Sequence, residues 1–213
     1  MGKFGEVLNR SLETSRKLKR ILVFVAALYV VFLLFGYVAV HMRIPFAVGL
    51  GEAVSQGVTD NPVLAPIIGA LMTGDLILAI VFTFLVNLTV GAFISTTLPG
   101  LIPLLGGIAS VIISAFRGFV IGAAYYEVLR VSVGYTVVAL GTLILELGAY
   151  VFSAAAGINI SLSAAFPRRY NVGSRWIAFK EAWKDAGRLY VIVVVLLALG
   201  AAWEMFGIYL AMP

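Results

Sequence analysis

The sequence predicts an all-α, polytopic membrane helix bundle. Three observations carry that prediction. Only 12% of the 213 residues are charged, about half the share of an ordinary soluble domain. Mean hydropathy is +1.07. Several apolar runs also reach the roughly 20 residues that a helix needs to cross the hydrocarbon core.

Residues 1–20 read as an amphipathic helix. Phe4, Val7, Leu8, Leu12 and Leu18 fall near one stripe that Ser11 and Ser15 fill, while Lys3, Arg10, Arg16, Lys17, Lys19 and Arg20 lie mostly elsewhere. That suits a helix lying in the headgroup layer; a solvated basic tail is the competing reading. The first span covers 21–40 and ends at His41, Arg43 and Pro45. No small-residue cleavage site follows it, so it reads as a retained span. Residues 46–75 are apolar but broken by Gly49, Gly51, Gly57, Pro62, Pro66 and Gly69, and punctuated by Glu52, Asp60 and Asp75. One or two short interfacial or re-entrant helices fit there, with Pro62 near a helix start.

Spans two to four cover 76–96, 102–129 and 133–162, the second ended by Pro99-Gly100. A basic stretch at 168–188 carries Trp176, Phe179, Trp183 and Tyr190 at helical spacing. It reads as a second interfacial amphipathic helix leading into a fifth span, 189–212. No internal repeat or low-complexity tract divides the chain, so 1–213 reads as a single membrane domain.

The basic residues set the expected orientation. Six lie in the first 20 residues and six more are Arg168, Arg169, Arg175, Lys180, Lys184 and Arg188. Five spans place both groups on one face, which the positive-inside rule makes cytoplasmic, with the C-terminus outside. The net charge of +5 therefore points to anionic lipid at that face, not to nucleic acid.

Three polar residues sit near the middle of consecutive spans: Asn87, Arg117 and Glu146. A charge in hydrocarbon must find a partner or line a wet cavity. The expectation is a polar layer in which Arg117 donates to Glu146 and Asn87 completes the hydrogen bonding. Such a layer either fixes helix register or handles an ion, proton or lipid. Small residues four apart form a ridge on span three (Gly106, Ser110, Ser114, Gly118, Gly122) and another on span four (Ala149, Ser153, Gly157). Ridges of this kind let helices approach closely, within one chain or between copies. Near the outer span ends, Glu127 and Arg130 are expected to pair, and Glu204 to face a cavity, Arg43 or Arg130.

Catalytic chemistry has little to stand on. The chain has no cysteine, one histidine (His41) at a span end, and aspartates only at loops or span ends. There is no HExxH, GxSxG or phosphate-binding loop. No enzyme, no metal and no cofactor is the expectation.

Residues 76–165 resemble the stage II sporulation protein M family, also called the domain-of-unknown-function 95 membrane proteins. Phe84-Leu85-Val86-Asn87-Leu88 resembles the Asn-containing start of that family's second span. Arg117-Gly118-Phe119-Val120-Ile121-Gly122 resembles its Asn-Gly, apolar, Gly segment. Leu145-Glu146-Leu147 with Ala154-Ala155-Ala156-Gly157 resembles its Glu-Leu … Ala-Ala-Gly-Leu segment. Here Arg117 replaces the family's Asn, and Gly141-Thr142-Leu143 stands where Pro-His-Gly is usual. In spore formers the resemblance implies a membrane scaffold that recruits wall-remodelling hydrolases without being one. Two functions follow as expectations: a non-catalytic scaffold or assembly subunit, partnered by lipid and by a second copy or other membrane proteins; or a transporter, channel or lipid-handling subunit built on the polar layer.

Overall fold

The computed structural model describes the backbone of residues 3–211 and the side chains of 5–54 and 61–210; Phe4 and Asp60 of the sequence analysis lie outside the described side chains. Among the described residues the chain is helical throughout its ordered elements, with no strand. In order these are α1 (Lys3–Lys17), α2 (Lys19–His41), α3 (Pro45–Asp60), α4 (Ala65–Met72), α5 (Leu76–Val86), a π-helix (Asn87–Thr97), a 3-10 turn (Leu98–Leu101), α6 (Leu105–Val128), α7 (Val133–Ala165), a second 3-10 turn (Pro167–Tyr170) and α8 (Arg175–Ala211). Five helical stretches are long and apolar enough to cross a membrane: α2, α5 with its π and 3-10 continuation, α6, α7 and α8.

Local chemistry explains the breaks. Pro45 and Pro66 sit in the first turns of α3 and α4, where a missing N–H costs nothing. Pro62 lies just before the start of α4, in a turn held by the Asn61 side chain, which accepts from the Val63 N–H at 2.9 Å. Gly74, at φ 75°, closes α4, with the Asp75 N–H reaching back to the Ala70 carbonyl. The Asp75 side chain then caps α5 by accepting from the Leu78 N–H at 3.0 Å.

Two segments differ from the sequence expectation. The stretch 168–188 is no separate surface helix. From Arg175 it is the first part of α8, which runs unbroken into the fifth span. Gly187 is the only interruption in the pattern, and one glycine does not stop a helix flanked by good helix formers. The second span is also not a uniform α-helix, since from Asn87 it widens into eleven π-helical residues. Hydroxyl groups there hold backbone carbonyls: Ser95 donates to Gly91 and Thr96 to Ala92, each at 2.6 Å.

The chain forms two compact units, and membership changes inside each long helix. The first contains 1–27, 88–114 and 148–196. Its core joins Leu18, Ile160, Ala182, Ala186 and Leu189, with Phe152, Phe179, Trp183 and Tyr190 packed against them. Within it α1 buries Ser11 and Thr14, and Leu18 is buried at the turn that follows, whereas Val7, Leu8 and Leu12 of the expected stripe stay exposed. The small hydroxyl residues satisfy themselves on the preceding turn, Ser11 on Val7 and Thr14 on Arg10, so α1 docks by its small face. The second unit contains 28–87, 115–147 and 197–213. One of its clusters joins Ala39, Val40 and Ala47 to Phe119 and Ala123; another joins Ile67, Ala70 and Leu71 of α4 to Ala79 and Met205.

Candidate functional site

The polar residues of the second unit converge on Glu146. Asn87, at the end of α5, donates its side-chain amide to the Glu146 carboxylate at 2.5 Å. The sequence expectation has Asn87 completing the hydrogen bonding of Glu146, and the Asn87 amide does so. Arg117 is engaged with its own surroundings and acts on Glu146 as a nearby charge.

Glu204 belongs to the same group. It lies close enough to act on Glu146 and on the Tyr125 hydroxyl. Gly200, one turn before Glu204, lies against Glu146: a Cβ there would stand 3.4 Å from the Glu146 Cγ. One turn from Asn87 and from Glu146, the hydroxyls of Thr83 and Thr142 are buried and find no hydrogen-bond partner among the described residues. The layer thus holds two carboxylates, one guanidinium, one amide and two spare hydroxyls.

The outer charges arrange themselves differently from expectation. Arg130 turns to Tyr126, not Glu127: its guanidinium donates to the Tyr126 hydroxyl at 2.7 Å and lies 4.9 Å from the ring centroid. The tyrosine offers both an acceptor and a π face at i−4, so it holds the cation better than the carboxylate at i−3. Glu127 and Arg130 line an open cavity of about 600 Å³ with His41, Arg43 and Glu52.

The small-residue ridges pack within the chain. In the second unit, α6 lies against α2: a Cβ on Gly122 would meet the Leu33 carbonyl, and one on Gly118 would stand 3.0 Å from the Tyr29 carbonyl. In the first unit, Gly106 lies against the Pro99 carbonyl and Gly157 against Thr96 and Thr97. Ser110 donates to the Thr96 carbonyl at 2.8 Å. Ser153 meets the Thr96 hydroxyl at 2.8 Å, and its carbonyl accepts from Thr97 at 2.9 Å. Ala149 is fully buried and Ser114 is buried with its hydroxyl unpartnered.

Sequence reasoning missed a second polar centre. Asp185, 2% exposed, accepts from Lys17 Nζ at 2.6 Å, from the Tyr170 hydroxyl at 2.7 Å and from Arg188 at 3.0 Å. Asn159 in turn donates to Tyr170 at 2.8 Å, and Lys17 Nζ lies 4.0 Å above the Tyr170 ring. Burial, with the Asp185 carboxylate beside it, pushes the Tyr170 hydroxyl above its ordinary value of 10.0. The signal was present in the sequence. Asp185 falls inside the buried stripe Ala178, Ala182, Ala186, Leu189, Val193 of α8, where an acid must be paired. The Lys17 contact ties α1 to α8.

These helices fit one known family. Residues 24–207 match the profile described as Stage II sporulation protein M, SpoIIM. The chain belongs to that family. No curated protein and no solved structure matches it. The SpoIIM match extends well beyond 76–165 and takes in Asn87, Arg117, Glu146, Asp185 and Glu204. Helix α1 lies before it, so Lys17 reaches this SpoIIM protein's buried aspartate from outside the matched residues. With five membrane-length helices, the chain is a multi-pass integral membrane protein.

Proposed function

We propose that this SpoIIM-family protein is a non-catalytic membrane scaffold or assembly subunit, with its N-terminus and the 166–174 connection on the cytoplasmic face and its C-terminus outside. One observation carries the reading. The hydroxyls of Thr96, Thr97, Ser110, Ser153 and Ser161 are all engaged in bonds between helical segments or to backbone, so these five side chains of the first unit are committed to packing. Side chains used this way hold a shape. The twelve basic residues of the N-terminal and 168–188 segments favour that orientation and an anionic lipid surface. Its partners in the plane of the membrane are a second copy or other membrane proteins. Affinity purification from native membranes after photo-crosslinking tests this: the protein is expected in a discrete higher-order species, and recovery only as an unpartnered monomer refutes it.

A second reading has its own support in the Glu146 layer. Two carboxylates near each other, with buried hydroxyls of Thr83 and Thr142 one turn away along their helices, supply oxygens of the type that handle a proton or a small cation. Flux into liposomes, compared between the parent and Glu146→Gln, decides it. Flux that the substitution abolishes supports transport, and none in either protein removes the idea.

A further inference from the structure

We propose that the first unit carries a binding site for the headgroup of an anionic diacyl phospholipid, at the junction of α1 and α2. A cavity of about 620 Å³ opens there. Four cations stand at it: Lys17, Lys19, Arg20 and Arg169. Lys17 is already held by Asp185. The other three are exposed and have no carboxylate partner among the described residues. The rest of the lining is apolar. Ile21 and Phe24 come from the first turns of the first span, and Ile158 and Leu162 from α7.

This combination selects its ligand. Three uncompensated cations above an apolar wall suit a phosphodiester whose acyl chains continue along the wall. A free anion would use only the charged rim, and a zwitterionic lipid would bring its own cation into the cluster. The wall belongs to helices long and apolar enough to cross a membrane, so the lipid reaches the site from the bilayer itself. The Lys17–Asp185 contact fixes the end of α1, and with it Lys19 and Arg20 at the start of α2, so the cations are presented on a held corner of backbone. The inference is independent of the scaffold and transport readings.

Native mass spectrometry of the detergent-purified full chain tests it, with dioleoyl phosphatidylglycerol as the probe and dioleoyl phosphatidylcholine and inorganic phosphate as comparators. The parent is expected to retain phosphatidylglycerol in preference to phosphatidylcholine, with inorganic phosphate failing to displace it. Arg20→Gln/Arg169→Gln should bind phosphatidylglycerol about 10–30-fold more weakly, from the loss of two cations at the headgroup. Arg10→Gln/Lys180→Gln removes the same charge elsewhere and should leave binding unchanged. All four side chains are exposed, and an unchanged thermal midpoint in each variant shows that the fold is intact. Equal retention of the two lipids, equal losses in the two double variants, or full displacement by inorganic phosphate overturns the proposal.

Discussion

Asp185→Ala should detach α1 and unsettle the whole first unit. The Asp185 side chain is 3% exposed and accepts three hydrogen bonds. Bonds to a charged group contribute about 1.5–3 kcal/mol each. Lys17 and Arg188 are 48% and 43% exposed, so both recover water when the acceptor goes, and their share falls to about 1 kcal/mol or less. The Tyr170 hydroxyl is more enclosed and keeps the Asn159 and Ser163 side chains beside it, but loses the carboxylate that accepts its proton, at about 1–3 kcal/mol. The sum is about 3 kcal/mol, or roughly 6–12 °C in thermal midpoint for a chain of this size. Asp185→Asn keeps an acceptor for Tyr170 and should lose less than half of that. Thermal unfolding in detergent reads both. Limited proteolysis should cut sooner around Lys17–Arg20 in the alanine variant. Additivity of Lys17→Met and Asp185→Asn, with no coupling, would refute the reasoning, because the two side chains would then not sense each other.

Asn87→Leu and Glu146→Leu should each lower the thermal midpoint, and the double variant should cost less than their sum, with a coupling of about 1–2 kcal/mol from the shared hydrogen bond. Gly157→Val drives a side chain onto Thr96 and Thr97 and should cost about 1–3 kcal/mol. Gly187→Ala, at an exposed helix site with nothing near its Cβ, should instead gain up to about 1 kcal/mol; a loss there would show that α8 is not continuous. Tyr170 holds its proton more tightly folded than unfolded, so its contribution is present below pH ~10 and declines as alkali ionises the unfolded chain first. Tyr170→Phe should show a shallower loss of stability above that pH in a thermal melt series.

The spans were legible because burial in hydrocarbon leaves a composition signal that no local detail overrides. Leu76 to Thr96 could be bounded to within a few residues, yet nothing in its apolar content announces the π-helix from Asn87. In the fold the widened segment has the Gly91 and Ala92 carbonyls accepting from the Ser95 and Thr96 hydroxyls, and the Thr96 carbonyl accepting from Ser110. Asn87 and Glu146 stood out as polar groups at depth on neighbouring spans, and the fold brings the Asn87 amide onto the Glu146 carboxylate. The ridges of α6 and α7 signalled close approach, and only the fold shows that Leu33, Pro99 and Thr96 of the same chain fill them. Asp185 was hidden by its basic neighbours: Lys184 and Arg188 made 168–188 look like a solvated face, although the alanines four apart beside it marked a buried one.

The scaffold reading requires that the Glu146 layer be closed to water, and the transport reading requires that it open to one face. The chain has no cysteine, so Thr142→Cys places a single thiol one turn from Glu146 on a clean background. Reaction with a charged, membrane-impermeant methanethiosulfonate, applied to each side of sealed vesicles, measures whether water reaches it, with Ser174→Cys as the reactive control. A closed scaffold predicts no labelling at 142 from either side while 174 reacts; rapid labelling at 142 from one face would mean an aqueous vestibule and contradict the account.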